Sequence, residues 1–346
     1  MVINSNAADI QSNIDDGEVF SLNSNDAGLF DILSTKLYSN PIQSVIREVL
    51  SNAIDANIAA GVENPVQIHF PNEIDPTFWV RDYGIGMDAA KMRNVFTYGG
   101  SDKRDTNDQI GGLGVGAKSP FSVADTWTVE SSKDGVKRTA LCYRGPDRKP
   151  RFKFIGEEPS NETGTKVYFA VPSDKHFNYI YEAIPVLAFA QQMPELLNGA
   201  DKFLQQAEVE SLEQFNNIRK LLKGENRLIV RTDKYSDAYD ATDADMMAAN
   251  KFISKIAGRF SGTIVDMGGV PYDVDIAQVF DGDYDAISFF KEDSHNHTLV
   301  LHFPIGSLNF QASREKLNYT EATKNALKRS IVNFYSRKAY EELATA

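Results

Sequence analysis

The chain has 346 residues, enough for two ordinary domains, and its apolar and charged content is that of a soluble globular protein. A formal net charge of −12 argues against broad, non-specific nucleic-acid binding, and no stretch approaches the roughly 20 apolar residues that a bilayer span needs. The opening MVINSNAADIQSN lacks the basic-then-apolar pattern of a secretion signal. The single cysteine, Cys142, excludes an internal disulfide and reads as a small core residue, so the expected compartment is the cytoplasm.

Residues 1–25 are polar and are expected to form an N-terminal arm, with a helix near Ala27–Leu37. The clearest helix signal follows over Pro41–Ala60. Asn40 is a good N-cap, Pro41 sits where its missing N–H costs nothing, Gln43 can complete a capping box and Gly61 is the stop. Ile42, Val45, Ile46, Val49, Leu50 and Ala53 fall on one face at helical period. Strand patterns occupy Pro65–Phe70 and Thr77–Arg81. After the glycine-rich segment Tyr98–Lys118, four more runs read as strands: Thr126–Ser131, Thr139–Arg144, Arg151–Ile155 and Thr165–Val171. This order predicts a two-layer α/β domain over residues 26–175. Residues 176–225 read as a helical connection. Arg227–Arg231, Gly262–Val265, Tyr272–Val274 and Thr298–Phe303, closed by a helix over Thr320–Leu343, predict a second α/β domain over 226–346. The basic stretch Lys137–Lys153 reads as a solvated hairpin rim, and the SHNHT segment as a polar loop rather than a metal site.

Four short segments carry chemistry. On the predicted helix, Glu48, Asn52 and Asp55 fall within roughly a 60° wedge beside the apolar face, where oxygen-bearing side chains are costly unless they bind something. RDYGIGMD places Asp82 at a strand end before Gly84 and Gly86, so its carboxylate can accept from an exocyclic amine. GGLGVGAKS, Gly111–Ser119, exposes backbone N–H groups at a helix start, the arrangement that cradles phosphates. TGTK sets Thr165 at the opening of a strand, where its hydroxyl can support the ring that Asp82 reads.

ExxxNxxDA, DxGxGM, GxGxG and GT, in that order, resemble the GHKL ATPases, which include heat-shock chaperones, DNA gyrase B, MutL and sensor histidine kinases. The resemblance implies a Bergerat-type ATP-binding fold and ATP with Mg²⁺ as ligands. Glu48 is then the general base, Asn52 the Mg²⁺ ligand, and Asp55 and Ala56 line the pocket. Asp82 binds the adenine amine with Thr165, and Gly84, Gly86 and Met87 wall the base. Tyr98–Gly116 is the lid, with Gly112, Leu113, Gly114, Val115 and Gly116 at the phosphates and Lys118, less so Lys103, reaching a phosphate. NFQASREKLNY resembles the segment of the chaperones' middle domain that sends an arginine to the γ-phosphate, which makes Arg314 that residue and 226–346 a transducer-like domain.

GGSDKRDTNDQIGGLGVGAKSPF and ASREKLNYT are most similar to the RIIA-type proteins of tailed bacteriophages, linked to lysis control and protection against prophages. The expected function is a slow ATPase acting as a conformational switch or clamp, with an ATP-dependent homodimer and a host or phage protein as partners. A nucleotide-gated protein- or DNA-binding module with negligible hydrolysis stays open beside it, and so does a phosphotransferase.

Overall fold

The computed structural model describes residues 37–96, 116–223, 225–230, 251–252, 262–294 and 297–345. The expected arm, the helix up to residue 36, Lys103 and the lid residues Gly112, Leu113, Gly114 and Val115 lie outside the described residues.

The first helix, α1 (Pro41–Ala60), forms as its signals require. Asn40 Oδ1 accepts from the Gln43 N–H at 3.2 Å. At the other end Gly61, at φ 64°, returns its N–H to the last turn. The second half of the expected capping box is absent. The Asn40 N–H goes instead to Glu315 Oε1 at 2.9 Å, from far along the chain. Val45, Ile46, Val49, Leu50, Ala53 and Ile54 are buried, so the apolar stripe faces the core.

β1 (Gln67–His69), β2 (Thr77–Arg81), α2 (Ala89–Phe96) and a 3₁₀ helix over Gly116–Ser122 follow. Then come β3 (Thr126–Lys133), β4 (Val136–Arg144), β5 (Pro150–Pro159) and β6 (Gly164–Ala170). Within residues 176–225 lie α3 (His176–Phe189), α4 (Ala200–Ala207) and α5 (Leu212–Lys223), but also a strand, β7 (Glu195–Asn198). The first sheet runs β5-β4-β3-β6-β2-β1-β7, antiparallel except for the β1–β7 edge pair. β2 alternates buried and half-buried residues, the period-two signature of a sheet covered on one face. α1 and α3 pack on each other and α1 against this sheet, giving a two-layer α/β sandwich.

The second sheet runs β10-β9-β11-β8, from β8 (Arg227–Val230), β9 (Thr263–Met267), β10 (Pro271–Asp273) and β11 (His297–Phe303). β9 and β11 are parallel; the other pairs are antiparallel. α6 (Ile276–Val279), α7 (Tyr284–Ser294) and α8 (Glu321–Thr345) complete this part. Ile264 and Val300 join the core of the first sheet, while Val265, Leu299 and Leu301 join a second core with Leu327 and Ile331 of α8. Burial on both faces explains the apolar centres of β9 and β11, Ile264–Val265 and Leu299–Leu301. The basic stretch is a rim of ion pairs: Lys137 with Glu158, Arg138 with Glu157 and Arg151 with Asp147.

Candidate functional site

Three turns meet the polar edge of α1. The first follows β2. Asp82 is 6% exposed, and its Oδ1 accepts from the N–H groups of Gly84 at 2.9 Å and Thr165 at 3.1 Å. Burial pushes its carboxyl up to about 6, against the pull of these two donors and of Arg81. Gly84 lies against α1: a Cβ there would come 2.9 Å from the Ala56 carbonyl oxygen. Gly86 has φ 69°, and a Cβ on it would reach 2.0 Å from the Ser132 carbonyl oxygen, so only glycine fits this close approach. The Met87 N–H donates to Ser131 Oγ at 2.7 Å, and Ser131 Oγ shares a 2.9 Å hydrogen bond with Thr165 Oγ1. Asp82, Gly84, Gly86, Met87, Ala56 and Thr165 are therefore one connected turn system.

The second turn is the start of the 3₁₀ helix. A Cβ on Gly116 would sit 2.2 Å from Glu48 Oε2, so the end of the glycine run makes room for the carboxylate of α1. Lys118 is buried, and loss of solvation draws its ammonium down to about 8. At 3% exposed, Lys118 is not a solvated surface lysine.

The third turn comes from the second sheet. An isolated bridge between Phe310 and Leu317 closes a loop in which the Arg314 N–H donates to the Gln311 carbonyl at 2.9 Å. Arg314 is 8% exposed, and its Nη1 donates to Glu48 Oε2 at 3.2 Å. Glu48 is 3% exposed, and its other oxygen, Oε1, accepts from Arg47 Nη2 at 3.2 Å. Arg47 Nη2 also donates to the Ser313 carbonyl at 2.8 Å. Among the described residues, Arg314 Nη2 is buried with no hydrogen-bond partner. Its backbone is left-handed at φ 56°, a conformation that costs a non-glycine residue of order 1–3 kcal/mol. A buried guanidinium nitrogen left without a partner among the described residues retains donor capacity that an anion could use.

Asn52 is half-buried beside Glu48 on α1, and its amide has no hydrogen bond among the described residues. An amide oxygen one helical turn from a carboxylate is a donor type that hard cations accept. Asp55 lies on the neighbouring edge of the helix and lines a small cavity with Leu50, Val186, Gln191 and Gly268. That cavity borders the turn after β9, where Gln191 Nε2 donates to the Gly268 carbonyl at 3.1 Å.

Arg47, Ser131, Asn57 and Glu315 escaped the reading of the sequence. Arg47 had a signal, a charged residue inside the apolar run from Val45 to Leu50. Asn57, whose Oδ1 accepts from the Tyr83 N–H at 2.7 Å, also sits in the helix as a polar residue facing inward. Ser131 and Glu315 act across long sequence separations and left no local mark.

Residues 38–146 match the family described as histidine kinase-, DNA gyrase B-, and HSP90-like ATPases. The chain is 31% identical over 172 residues to the chaperone protein HtpG of Polaromonas sp., covering 43% of this chain and 27% of the relative. It is 25% identical over 271 residues to HtpG of Helicobacter pylori strain J99, covering 68% of this chain and 43% of the relative. HtpG of Magnetococcus marinus is 35% identical over 133 residues, 31% of this chain and 20% of the relative. The chain thus spans less than half the length of these relatives. Among the described residues no helix is long and apolar enough to cross a membrane. The matched segment assigns a GHKL-type ATP-binding domain to a chain that has HtpG chaperones among its homologues.

Proposed function

We propose that the chain is a Mg²⁺-dependent ATPase that works as a conformational switch, with Glu48 as general base and Arg314 as the arginine that meets the γ-phosphate. The observation that carries this is the buried Arg314 guanidinium, joined to Glu48 through Nη1 and, among the described residues, unpaired at Nη2. Both oxygens of Glu48 are occupied by guanidinium groups, so the carboxylate is held at rest. A γ-phosphate carries more negative charge than Glu48 and presents several oxygens, so it competes for Arg314. Transfer of Arg314 to the phosphate frees Oε2 to orient and deprotonate water. Asp82, with Thr165 and Ser131 behind it, holds the adenine amine, and Lys118 and the backbone from Gly112 to Gly116 serve the phosphates. Asn52 would hold Mg²⁺, which supplies charge neutralisation on the transferred phosphoryl group. Because Glu48 lies on α1, packed on the first sheet, and Arg314 in the loop after β11 of the second, nucleotide state is read by the second part of the chain, as a transducer requires.

The RIIA-like segments extend the reading to a phage-encoded protein acting in the host cytoplasm, with slow turnover, an ATP-dependent homodimer and a protein partner in lysis control or counter-defence. The paired state of Glu48 equally favours a second reading, a nucleotide-gated binding module with negligible hydrolysis. Phosphate release from the purified chain, beside its Glu48→Ala and Arg314→Ala variants, separates the two. The switch predicts turnover lost in both variants with ATP still bound. Equal release by wild type and Glu48→Ala removes the base assignment. Light scattering with and without a non-hydrolysable ATP analogue tests the dimer.

A further inference from the structure

Three consecutive residues of the loop after β11 each contact α1. Ser313 offers its carbonyl to Arg47, Arg314 pairs with Glu48, and Glu315 reaches the first turn of the helix. The Glu315 contact is the most extensive. Its Oε2 accepts from the Ser39 N–H at 2.8 Å and Ser39 Oγ at 2.9 Å; its Oε1 accepts from the Asn40 N–H at 2.9 Å and Ser44 Oγ at 3.0 Å. A carboxylate with four donors at a helix N-terminus is favoured by charge-assisted bonding and by the helix dipole together. Burial opposes the ionised form, but the donors outweigh it and hold the carboxyl below its ordinary range.

Arg314 stands between the two flanking contacts in a left-handed conformation. Its own N–H bond to Gln311 lies within the loop and cannot fix the loop against α1. The Arg47 contact moves with the Glu48 site itself. Among the described residues, only Glu315 ties the loop to the N-terminal turn of α1, ahead of Glu48.

We propose that Glu315 is a positioning residue that fastens the second part of the chain to the N-terminus of α1, and so sets Arg314 at Glu48. This rests on the ATPase reading above. Glu315 touches no nucleotide group in it and acts only through Arg314.

The test uses the full chain, with Mg-ATP as substrate and a non-hydrolysable ATP analogue as the binding probe. Glu315→Ala is expected to lower kcat by about tenfold or more and to leave the analogue's dissociation constant within about threefold. In an Arg314→Ala background the same change should lower kcat by less than about twofold, because the residue it positions is gone. An equal loss in both backgrounds, or an unchanged kcat in the single variant, overturns the proposal. If Glu315→Ala does not fold, Glu315→Gln is measured. It keeps the shape but turns an N–H₂ group towards one donor pair, and the same two outcomes decide. Hydrogen exchange at the Ser39 and Asn40 amides gives a readout independent of turnover, and Glu315→Ala should speed it at least about tenfold. If wild type shows no turnover, the ATPase reading fails while faster exchange still establishes the fastening. Unchanged exchange overturns it whatever the turnover.

Discussion

Arg314 and Glu48 stand 266 positions apart in the chain and meet at 3.2 Å, both buried, as an ion pair that joins the second sheet's loop to the middle of α1. In the proposed mechanism this pair sets both the base and the phosphate contact, so it is the first place to intervene.

Arg314→Lys should lower kcat by roughly 10³-fold, the loss associated with removing an arginine that stabilises a transferred phosphoryl group. Lysine keeps the charge but cannot hold Glu48 and a phosphate through two separate nitrogens. ATP affinity, measured by calorimetry, should change by only a few-fold. A variant that turns over as fast as wild type removes Arg314 from the mechanism.

Asp82 sets a pH dependence. Its carboxyl rises from 3.8 to about 6 in the folded protein. A raised acid contributes stability that is present below the unfolded value and is lost as pH rises through the folded value. The ionised group therefore costs the nucleotide-free protein about 3 kcal/mol near neutrality. Asp82→Asn should stabilise that protein in urea by up to about this amount at neutral pH, with little gain near pH 4. The same change should weaken ATP binding about tenfold or more, since the adenine amine loses a charged acceptor. Wild-type affinity should likewise decline as pH falls below about 6. Affinity that is level from pH 5 to 8 would contradict this role.

The sandwich and its site differ in how they were written into the sequence. α1 was legible because its cap, its first-turn proline, its apolar period and its stop are all local. β2 was legible to the residue for the same reason. β7 was not, because four residues, ELLN, become a strand only through the edge that β1 offers. α2, α6 and α7 are short or weakly periodic and gave no clear signal. In the site, the glycines and acids announced themselves by spacing. Arg47 and Glu315 did not, because their roles depend on a loop arriving from the far end of the chain. The capping box illustrates the difference: Gln43 was the local candidate, but a carboxylate offers the Asn40 N–H a stronger acceptor than an amide does.

Gly116→Ala isolates the contact between the 3₁₀ helix and Glu48. The Gly116 backbone is not left-handed, so alanine meets no conformational barrier, only the Glu48 oxygen. Glu48 cannot swing aside without leaving Arg47 or Arg314. Overpacking of this kind is expected to cost about 1–3 kcal/mol in stability. Turnover should fall by at least about tenfold, with binding less affected. Thermal unfolding and steady-state kinetics on one preparation read both effects.

Leu50→Ala tests the support beneath the site. Leu50 is 1% exposed on the face of α1 opposite the charged edge. Its truncation should cost about 2–5 kcal/mol by urea denaturation. Saturating ATP should recover part of this loss if the site still forms, because a ligand that binds only the folded state stabilises it. No stabilisation by ATP would mean that α1 no longer presents Glu48.

β7 is supplied by chain that lies, in order of synthesis, after all six other strands of its sheet. A ribosome has therefore released the whole of β1 to β6 well before the edge beside β1 can be closed. During that interval the nascent protein carries a row of unpaired backbone donors and acceptors along β1, open to strands of other chains. A fragment cut at residue 175 keeps that open edge permanently, and it also loses α3, the layer that lies on α1. Clean dissection of the ATP-binding part must therefore carry the chain past Asn198.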